Sequence, residues 1–463
     1  MSQQNGLAHR QVCRGDRDRQ TIIDNHGGGN MRTHYKKTLQ ISRLALACSA
    51  ALLAMNQTAQ ASGFAVPELN ITGLALSNAM VANPDSLSAI AYNPAAMAFH
   101  TGSALELGLL LVEPDLSVDT GSGTVDSEAN DVVAIPAFTA FTQLNETWSL
   151  GLSVNAPFGL ETEWPAWTFD AQYPPGTTIP TQSKLEIVAF SPSVAYKIND
   201  KASLSGGVDY YWMREVIFNG DINAGMPGSN PAADLEGDGR GVGFNLGFMV
   251  DQGRWSFGGS YHSEANIPIE GTVDLPAGAL PSFLTNKVNA DLKLPWRLQV
   301  GVRNQTTDKL AIEFDVTRTG WSSFDTLVVD QDQLGTNIVT SLNQWDDANA
   351  YRIGISYDFS QATQLRIGYT FDETPQDDKF YSPRIPDADR QLFSLGVGHT
   401  LSNGWTIDAG YMYVKFDDRT LDIDPTFVHA APDAGETNGT SAVNGDYESS
   451  VHLFGIGIKK HFM

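Results

Sequence analysis

The stretch 363–372, TQLRIGYTFD, has an apolar or aromatic side chain at every second position from Leu365 onwards. The stretches 405–416 (WTIDAGYMYVKF) and 451–462 (VHLFGIGIKKHF) repeat this pattern. Because a strand places successive side chains on opposite faces, each stretch forms one apolar and one polar face. A soluble sandwich would bury the apolar face in a core. An outer-membrane barrel would turn it towards lipid and line a lumen with the polar face.

The region before residue 62 has the features of a leader for export. Four basic residues precede the twelve-residue apolar stretch 44–55, and small residues ending in Ala61 stand at the cleavage positions. We therefore predict a signal peptide over 31–61 that is cleaved near Ala61/Ser62. Residues 1–30 have no pattern of their own, which suggests an over-extended start site; a genuine cytoplasmic prefix is the alternative.

Composition excludes several classes of function. Both cysteines, Cys13 and Cys48, precede residue 62, so the mature chain would have neither disulfides nor thiolate chemistry. Removing residues 1–61 leaves 21 basic and 50 acidic residues, a formal net charge of −29. A chain this acidic has no basic surface for phosphates, so nucleic acid is not an expected partner. Acidic segments such as 234–238 and 345–347 suit an extracellular surface beside lipopolysaccharide.

No segment of the mature chain has the composition of a membrane-spanning helix. Repeated amphipathic strands in an exported chain therefore predict an all-β fold, a transmembrane antiparallel β-barrel, in which every backbone group is paired. We predict 14 strands, an even number that returns both ends of the barrel to the periplasm. The strands lie near 104–112, 132–142, 147–156, 184–197, 202–218, 239–251, 254–268, 288–303, 309–319, 350–359, 363–372, 390–401, 404–416 and 451–462.

Short and long connections alternate along these strands. The links at 145–146, 360–361 and 402–404 are tight turns rich in Asn, Ser and Gly, whereas 157–183 and 373–389 are long. Short periplasmic turns that alternate with long extracellular loops are typical of an outer-membrane barrel. A sandwich has no reason to alternate so regularly.

Residues 62–103 do not alternate and are too apolar for a solvated tail. The lumen of a fourteen-strand barrel is wider than side chains alone can fill. We therefore predict that residues 62–103 fold into the lumen as a plug, ahead of a barrel over 104–463. A periplasmic extension is the alternative.

A set of short motifs runs in order along the mature chain. It includes Ser62-Gly63-Phe64, Tyr92-Asn93-Pro94-Ala95, the stretch 155–160 (NAPFGL), the stretch 319–324 (TGWSSF) and the stretch 385–390 (IPDADR). In this ordered set the chain resembles the FadL-type family of outer-membrane long-chain fatty-acid and hydrocarbon transporters. The resemblance implies a fourteen-stranded barrel closed by an N-terminal hatch, the name used below for residues 62–103.

The resemblance also implies a mechanism. Extracellular loops would capture an apolar ligand, the lumen would bind it, and the hatch would control its release sideways through a gap in the wall at the third strand. The hatch and gate residues so implied are Ser62, Gly63, Phe64, Asn93, Pro94 and Ala95. The gap residues are Asn155, Ala156, Pro157, Phe158 and Gly159. A proline cannot donate to a strand ladder, which suits a break in the wall, although Pro157 could simply end the strand.

The link 157–183 is unusually apolar for a loop. Its large side chains are costly in solvent unless they meet each other or an apolar ligand. Ligand capture and packing within the loop are both consistent with this composition. The candidate capture residues are Phe158, Leu160, Trp164, Trp167 and Phe169.

A fatty acid requires a partner for its carboxylate. Strand parity predicts four basic side chains on the lumen face: Lys293, Arg297, Arg352 and Arg366. A buried base that meets a carboxylate contributes about 1.5–3 kcal/mol as a charge-assisted hydrogen bond. The alternative for each base is a pair with a lumen acid. The candidate acids are Glu313, Asp315, Asp372 and Asp408.

We therefore expect outer-membrane transport of hydrophobic compounds, with long-chain fatty acids favoured and aromatic or alkane hydrocarbons as the alternative. An outer-membrane esterase or phospholipase is a remote third possibility, because no histidine lies in a recognisable nucleophile motif. No cofactor or metal is expected, since the acidic loop segments lack full calcium-loop spacing. We expect a monomer whose partners are outer-membrane lipid, lipopolysaccharide and the barrel-assembly machinery. That machinery reads a terminal aromatic residue, whereas the aromatic Phe462 is penultimate here.

Overall fold

A computed structural model describes residues 63–173, 177–224, 230–276, 285–333, 335–423 and 443–462. The predicted start-site extension, signal peptide and residue Ser62 lie outside the described residues. Within these ranges, twenty strands belong to one antiparallel sheet. They are β1 (Ser103–Asp119), β2 (Thr124–Asp126), β3 (Val133–Gln143), β4 (Trp148–Glu163), β5 (Thr178–Asn199), β6 (Ala202–Ile222), β7 (Ala232–Asp251), β8 (Trp255–His262), β9 (Ala265–Asp274), β10 (Lys287–Leu294), β11 (Arg297–Gln305), β12 (Leu310–Thr319), β13 (Thr326–Gln331), β14 (Thr336–Leu342), β15 (Ala348–Asp358), β16 (Thr363–Asp372), β17 (Arg390–Thr400), β18 (Trp405–Phe416), β19 (Arg419–Leu421) and β20 (Gly445–Phe462).

The sheet closes into a barrel of 14 strand positions, which confirms the predicted fold class. The first and last strands pair along their whole length, from Ser103 opposite Phe462 to Asp119 opposite Asp446. Strands β8 and β9 together occupy one position in the wall, because both pair with β7. Strands β10 and β11 together occupy the next position, because β10 pairs with β9 and β11 pairs with β8. The short strands β2, β13, β14 and β19 extend the sheet at the end that carries the long loops.

The alternation in the sequence turns apolar side chains outward. Ile367 in β16 and Ile456 in β20 are 54% and 60% exposed, while the intervening Arg366 is buried on the inner face. Glycines on the inner face leave room for the hatch. A Cβ on Gly258 would lie 2.0 Å from the carbonyl oxygen of Val81. The wall and the hatch are therefore in direct backbone contact.

Residues 63–102 pack against the inner wall and contain one short helix, α1 (Ile71–Ala75), followed by the 3₁₀ turns Leu87–Ala91 and Pro94–Phe99. Asn93 caps the second turn, because its Oδ1 accepts the Ala95 N–H at 3.1 Å. Its Nδ2 donates to the carbonyl oxygen of Val81 in the hatch and to that of Phe248 in the wall. One asparagine thus orders the turn and ties it to the barrel. The division of the chain near residue 103 into a hatch and a barrel with separate functions stays a prediction.

Two acids of β12 hold the middle of the hatch. Asp315 accepts the N–H groups of Met80 and Val81 at 2.8 and 3.0 Å, and Glu313 accepts that of Ala82 at 2.9 Å. Three consecutive amides without a ladder partner are costly when buried, so these carboxylates satisfy an obligatory requirement. The predicted pairing of lumen acids with lumen bases therefore does not describe Glu313 and Asp315, whose carboxylates accept hydrogen bonds from the hatch backbone instead.

Two predicted strands are interrupted. The single strands expected over 254–268 and 288–303 are each split, at Ser263–Glu264 and at Pro295–Trp296. The split at Pro295 follows from chemistry, because proline has no N–H to donate to the ladder. It also reverses the inward and outward alternation, so that Leu292 and Leu294 are buried and Lys293 is exposed. The prediction of Lys293 on the lumen face is therefore wrong.

Candidate functional site

The wall is incomplete between β3 and β4. Their ladder ends at Phe138 opposite Val154, although β4 continues to Glu163. The other side of β4 stays paired with β5, with a register shift between Asn155 and Phe158. The edge of β4 beyond Val154 thus lacks the strand β3 as its partner.

The start of the hatch occupies this edge. The Val66 N–H donates to the carbonyl oxygen of Pro157 at 2.9 Å, and the Gly159 N–H donates to the carbonyl oxygen of Phe64 at 3.0 Å. Ala65 forms an antiparallel bridge with Phe158. Pro157 fits here because it offers a carbonyl but no N–H, so the strand continues without a complete ladder. The predicted gap residues 155–159 thus lie where the hatch replaces β3. The alternative that Pro157 ends the strand is wrong, because β4 extends six residues further.

An aromatic cluster surrounds Phe64. Its ring centroid lies 4.7 Å from that of Trp321, 5.3 Å from Phe324, 5.9 Å from Phe158 and 6.0 Å from Trp345. The pairs with Trp321 and Phe324 are edge-to-face, an arrangement that contributes about 0.5–1.5 kcal/mol for each pair beyond area burial. The cluster therefore holds the N-terminal end of the hatch against the wall.

Gly63 is required at the start of this cluster. Its φ is +64°, and a Cβ there would lie 2.4 Å from the Trp345 ring. Its N–H donates to Asp387 Oδ2 at 3.1 Å, on the link between β16 and β17. Burial raises the pKa of Asp387 to about 6, although this carboxylate also accepts the Thr374 hydroxyl at 2.6 Å. The hatch is thus fastened to a long loop as well as to β4.

Two narrow apolar cavities lie on the long-loop side of Phe64. The first, about 70 Å³, is lined by Phe64 and Trp345, and the second, about 50 Å³, lies between the extensions of β6, β7 and β10. Four side chains line both cavities: Val216, Phe218, Ile269 and Leu327. The shared side chains place the two cavities next to each other. We call them the upper cavities.

Arg384 lines the first upper cavity, and sequence reasoning missed it. The side chain is buried and its guanidinium carbon lies 3.6 Å from the centre of the Phe218 ring. It donates to the Gln182 carbonyl oxygen and to Ser183 Oγ, both at 3.0 Å. Among the residues that the structure describes, no carboxylate lies within 4 Å of it. Burial lowers the pKa of Arg384 to about 10, which reflects the cost of an uncompensated buried cation.

Lys184 lines the same cavity but differs from Arg384 in its electrostatics. Its Nζ lies 3.2 Å from Glu186 and 3.0 Å from Glu215. These two carboxylates already compensate the ammonium. Arg384 is therefore the better candidate for an anionic ligand. It lies on a loop without periodicity, so strand parity gave no signal for it.

The four predicted lumen bases have different surroundings. Arg366 is buried and its Nη1 lies 2.5 Å from Asp408 Oδ1, which matches the expected pairing with a lumen acid. Arg352 is also buried and donates to Thr317 Oγ1 at 2.6 Å. Arg297 is partly buried and lines a separate cavity below Phe158. Lys293 faces outward, as described above. The structure therefore does not bring the four bases together.

The predicted capture residues also separate into groups. Phe158 and Leu160 are buried strand residues of β4, packed in the cluster with Phe64, so placing them on a loop is wrong. The reason is that β4 extends to Glu163 and carries them inside. Trp164 and Phe169 pack on each other at 5.5 Å in the loop, which favours self-packing for them. Trp167 alone of the five is exposed, at 60%.

A polar basin occupies the opposite side of the hatch, at the short-turn end. Its volume is about 700 Å³, and it is lined by charged groups that include Arg303, Lys309 and Lys459.

No helix in the described ranges is long and apolar enough to cross a membrane. Nor do the described side chains include three or more His, Cys, Asp or Glu placed to hold a metal ion.

Comparison with known proteins identifies the family. The family model described as outer membrane protein transport protein (OMPP1/FadL/TodX) matches residues 52–462. The chain belongs to this family. The family's members are outer-membrane transport proteins, so the chain is a protein of the Gram-negative outer membrane that transports hydrophobic compounds and is not an enzyme.

Individual relatives match most of the chain. The long-chain fatty acid transport protein of Salmonella typhi is 25% identical over 416 residues, which cover 82% of this chain and 92% of the relative. The 47 kDa outer membrane protein of Pasteurella multocida is also 25% identical, over 409 residues and with the same coverage. Among solved structures, a Pseudomonas aeruginosa FadL homologue has a TM-score of 0.71 at 22% identity and covers 87% of this chain and 100% of its own. The Pseudomonas putida toluene transporter TodX has a TM-score of 0.64 at 19% identity, with coverages of 84% and 98%. These structures share the fold.

Proposed function

We propose that this family member takes up long-chain fatty acids across the outer membrane. Extracellular loops capture the ligand, the upper cavities bind it, and the start of the hatch controls its sideways release between β3 and β4. The observation that carries this proposal is the replacement of β3 by residues 64–66 along the edge of β4. Movement of this segment removes two backbone hydrogen bonds and opens the wall at one place.

Polarity along the lumen supports a sideways route. The upper cavities are apolar, whereas the basin beyond the hatch is lined by charged groups. An alkyl chain that crossed the basin would lose the burial free energy that it gained in the upper cavities, about 0.8 kcal/mol for each CH₂. Release through the wall instead passes the chain directly into lipid.

Buried hydrogen-bond donors favour an acid as ligand. Arg384 is a buried cation without a carboxylate partner among the described residues, and it lines the first upper cavity. Trp345 lines the same cavity, and its buried indole N–H has no acceptor in the described chain. A buried donor without an acceptor costs about 1–3 kcal/mol. A fatty-acid carboxylate accepts hydrogen bonds from both groups.

An aromatic hydrocarbon is the second candidate. The cluster of Phe64, Trp321, Phe324 and Trp345 beside the cavity offers ring faces and edges suited to a flat apolar ligand. Relatives carry both kinds of name, since one is a long-chain fatty acid transport protein and a fold neighbour is a toluene transporter. The charge at Arg384 supports the acid as the first candidate, because toluene has no group to compensate it.

The test compares oleate and toluene in the refolded protein and in the Arg384→Gln variant. We expect saturable oleate binding and uptake by the unmodified protein. In Arg384→Gln, oleate affinity should fall about tenfold or more, because the lost charge-assisted bond contributes about 1.5–3 kcal/mol. Lys379→Gln, on the same loop but away from the cavity, serves as the charge-matched control. Toluene uptake without oleate binding would move the protein to the hydrocarbon class.

A further inference from the structure

A cavity smaller than either upper cavity lies on the other side of the aromatic cluster, beside the incomplete wall. Its volume is about 30 Å³, and Asn155, Pro157 and Phe158 of β4 form one side of it. Phe158 thus lines this lower cavity, while Phe64, at a ring distance of 5.9 Å, lines the upper one. The Phe64–Phe158 contact therefore separates the two cavities.

The lower cavity has more polar side chains in its lining than the upper ones. Asp209 lies at its wall, 1% exposed, and accepts hydrogen bonds from Ser191 at 2.6 Å and Asn245 at 2.8 Å. His262 Nδ1 lies 2.8 Å from the other oxygen of the same carboxylate. Three side chains thus converge on Asp209, and both of its oxygens have hydrogen-bond partners within the cluster.

Arg297 stands beside this cluster, directly opposite His262 in the ladder of β8 and β11, and it lines the same cavity. Across the described ranges no carboxylate lies within 4 Å of its guanidinium. Because both oxygens of Asp209 already accept hydrogen bonds from other groups, the Arg297 guanidinium is left without a carboxylate in ion-pair range and is available to an anionic ligand. Apolar side chains would fill such a space more cheaply if it served only to support the wall.

We propose that Arg297 and His262 form a second carboxylate site, at the exit, which receives the ligand head group on its way to the wall gap. This inference rests on the proposed function. When residues 64–66 leave the β4 edge, the Phe64–Phe158 contact opens, and the upper cavity joins the lower one at the same place as the gap. The carboxylate then passes from Arg384 to Arg297 while the alkyl chain enters lipid. A hydrocarbon has no use for the second site.

The test separates passage of the head group from binding. Oleate and its methyl ester, which lacks the charge, are compared in vesicles or cells carrying the protein. We expect Arg297→Gln to reduce the rate of oleate uptake about tenfold, with equilibrium oleate binding and methyl oleate uptake changed less than twofold. Arg297→Lys, which keeps the charge, should retain at least half of the oleate rate. Arg318→Gln is the matched control, because Arg318 lies one register step away on β12 and is exposed on the outer face.

The outcomes distinguish the two proposals. Equal oleate uptake in Arg297→Gln and Arg318→Gln overturns the exit site and leaves the proposed function intact. A parallel loss for oleate and methyl oleate also overturns it, because that result indicates a packing defect of the wall. Absence of oleate uptake in the unmodified protein overturns both. If Arg297→Gln does not reach the heat-modifiable folded form, Arg297→Met, which has a side chain of similar length, takes its place in the same comparison.

Discussion

Single residues fasten the hatch, and Asp387 makes one of these contacts sensitive to pH. Burial raises the pKa of its carboxyl from 3.8 to about 6, while the hydrogen bond from the Gly63 N–H acts in the opposite direction, so the buried site favours the neutral form on balance. The stability that this preference gives is fully present below about pH 4 and is lost as the pH rises through about 6. Ionisation is costly in the buried site, so rising pH favours an opened hatch start in which water reaches the Asp387 carboxylate, even though the Gly63 N–H bond to that carboxylate is itself stronger when it is charged.

We predict that opening of the hatch start increases about tenfold between pH 5 and pH 7. Hydrogen exchange of the segment 63–70, corrected for the intrinsic rate at each pH, measures this change. Asp387→Asn cannot ionise and keeps an acceptor oxygen for Gly63, so its corrected exchange should not vary with pH. Exchange that varies equally in both proteins would show that another group controls the contact.

At the scale of strands, the sequence predicted the elements better than the ends of elements. Alternation identified every wall position, because exposure to lipid on one face imposes a period of two. It placed Lys293 on the wrong face because the break at Pro295 resets that period within one predicted strand. It also ended β4 early, since the partner of residues 157–159 comes from the hatch and no local pattern announces such a pairing.

Arg384 shows the corresponding limit for the candidate site. The aromatic motif 319–324 and the hatch motif were recognised in the sequence, and the structure packs Phe64 against Trp321 and Phe324. Arg384 lies instead on an irregular loop that folds back over Phe218 of β6. Its importance depends on burial and on the absence of a nearby acid among described residues, and both are properties of the tertiary structure.

The contact between the hatch and β4 can be tested by locking it. Ala65 and Phe158 are antiparallel bridge partners, whose typical Cα separation of about 4.5–5.5 Å suits a disulfide. Both native cysteines precede residue 62. We predict that the oxidised Ala65→Cys/Phe158→Cys variant binds oleate but transports it only at background rate, and that dithiothreitol restores uptake.

The single variant Phe158→Cys, oxidised in the same way, controls for the lost aromatic ring. If the locked protein transported oleate as fast as its reduced form, residues 64–66 would not be the gate. Loss of binding as well as uptake would place the effect on the upper cavities instead.

For the whole molecule, the outward apolar surface and the polar, glycine-lined interior have opposite requirements. Outside, side chains such as Ile367 remain exposed because lipid is their solvent; inside, Gly368 is needed because a Cβ there would lie 2.4 Å from the Leu76 backbone.

We predict that Ile367→Arg, within β16, lowers the free energy of unfolding in phospholipid vesicles by about 2–4 kcal/mol. Phe359→Arg, at the strand end and 64% exposed, should cost only about 0–1 kcal/mol. Denaturant titration measures both values, and equal costs would contradict a membrane belt because only depth in the hydrocarbon distinguishes these two outward positions.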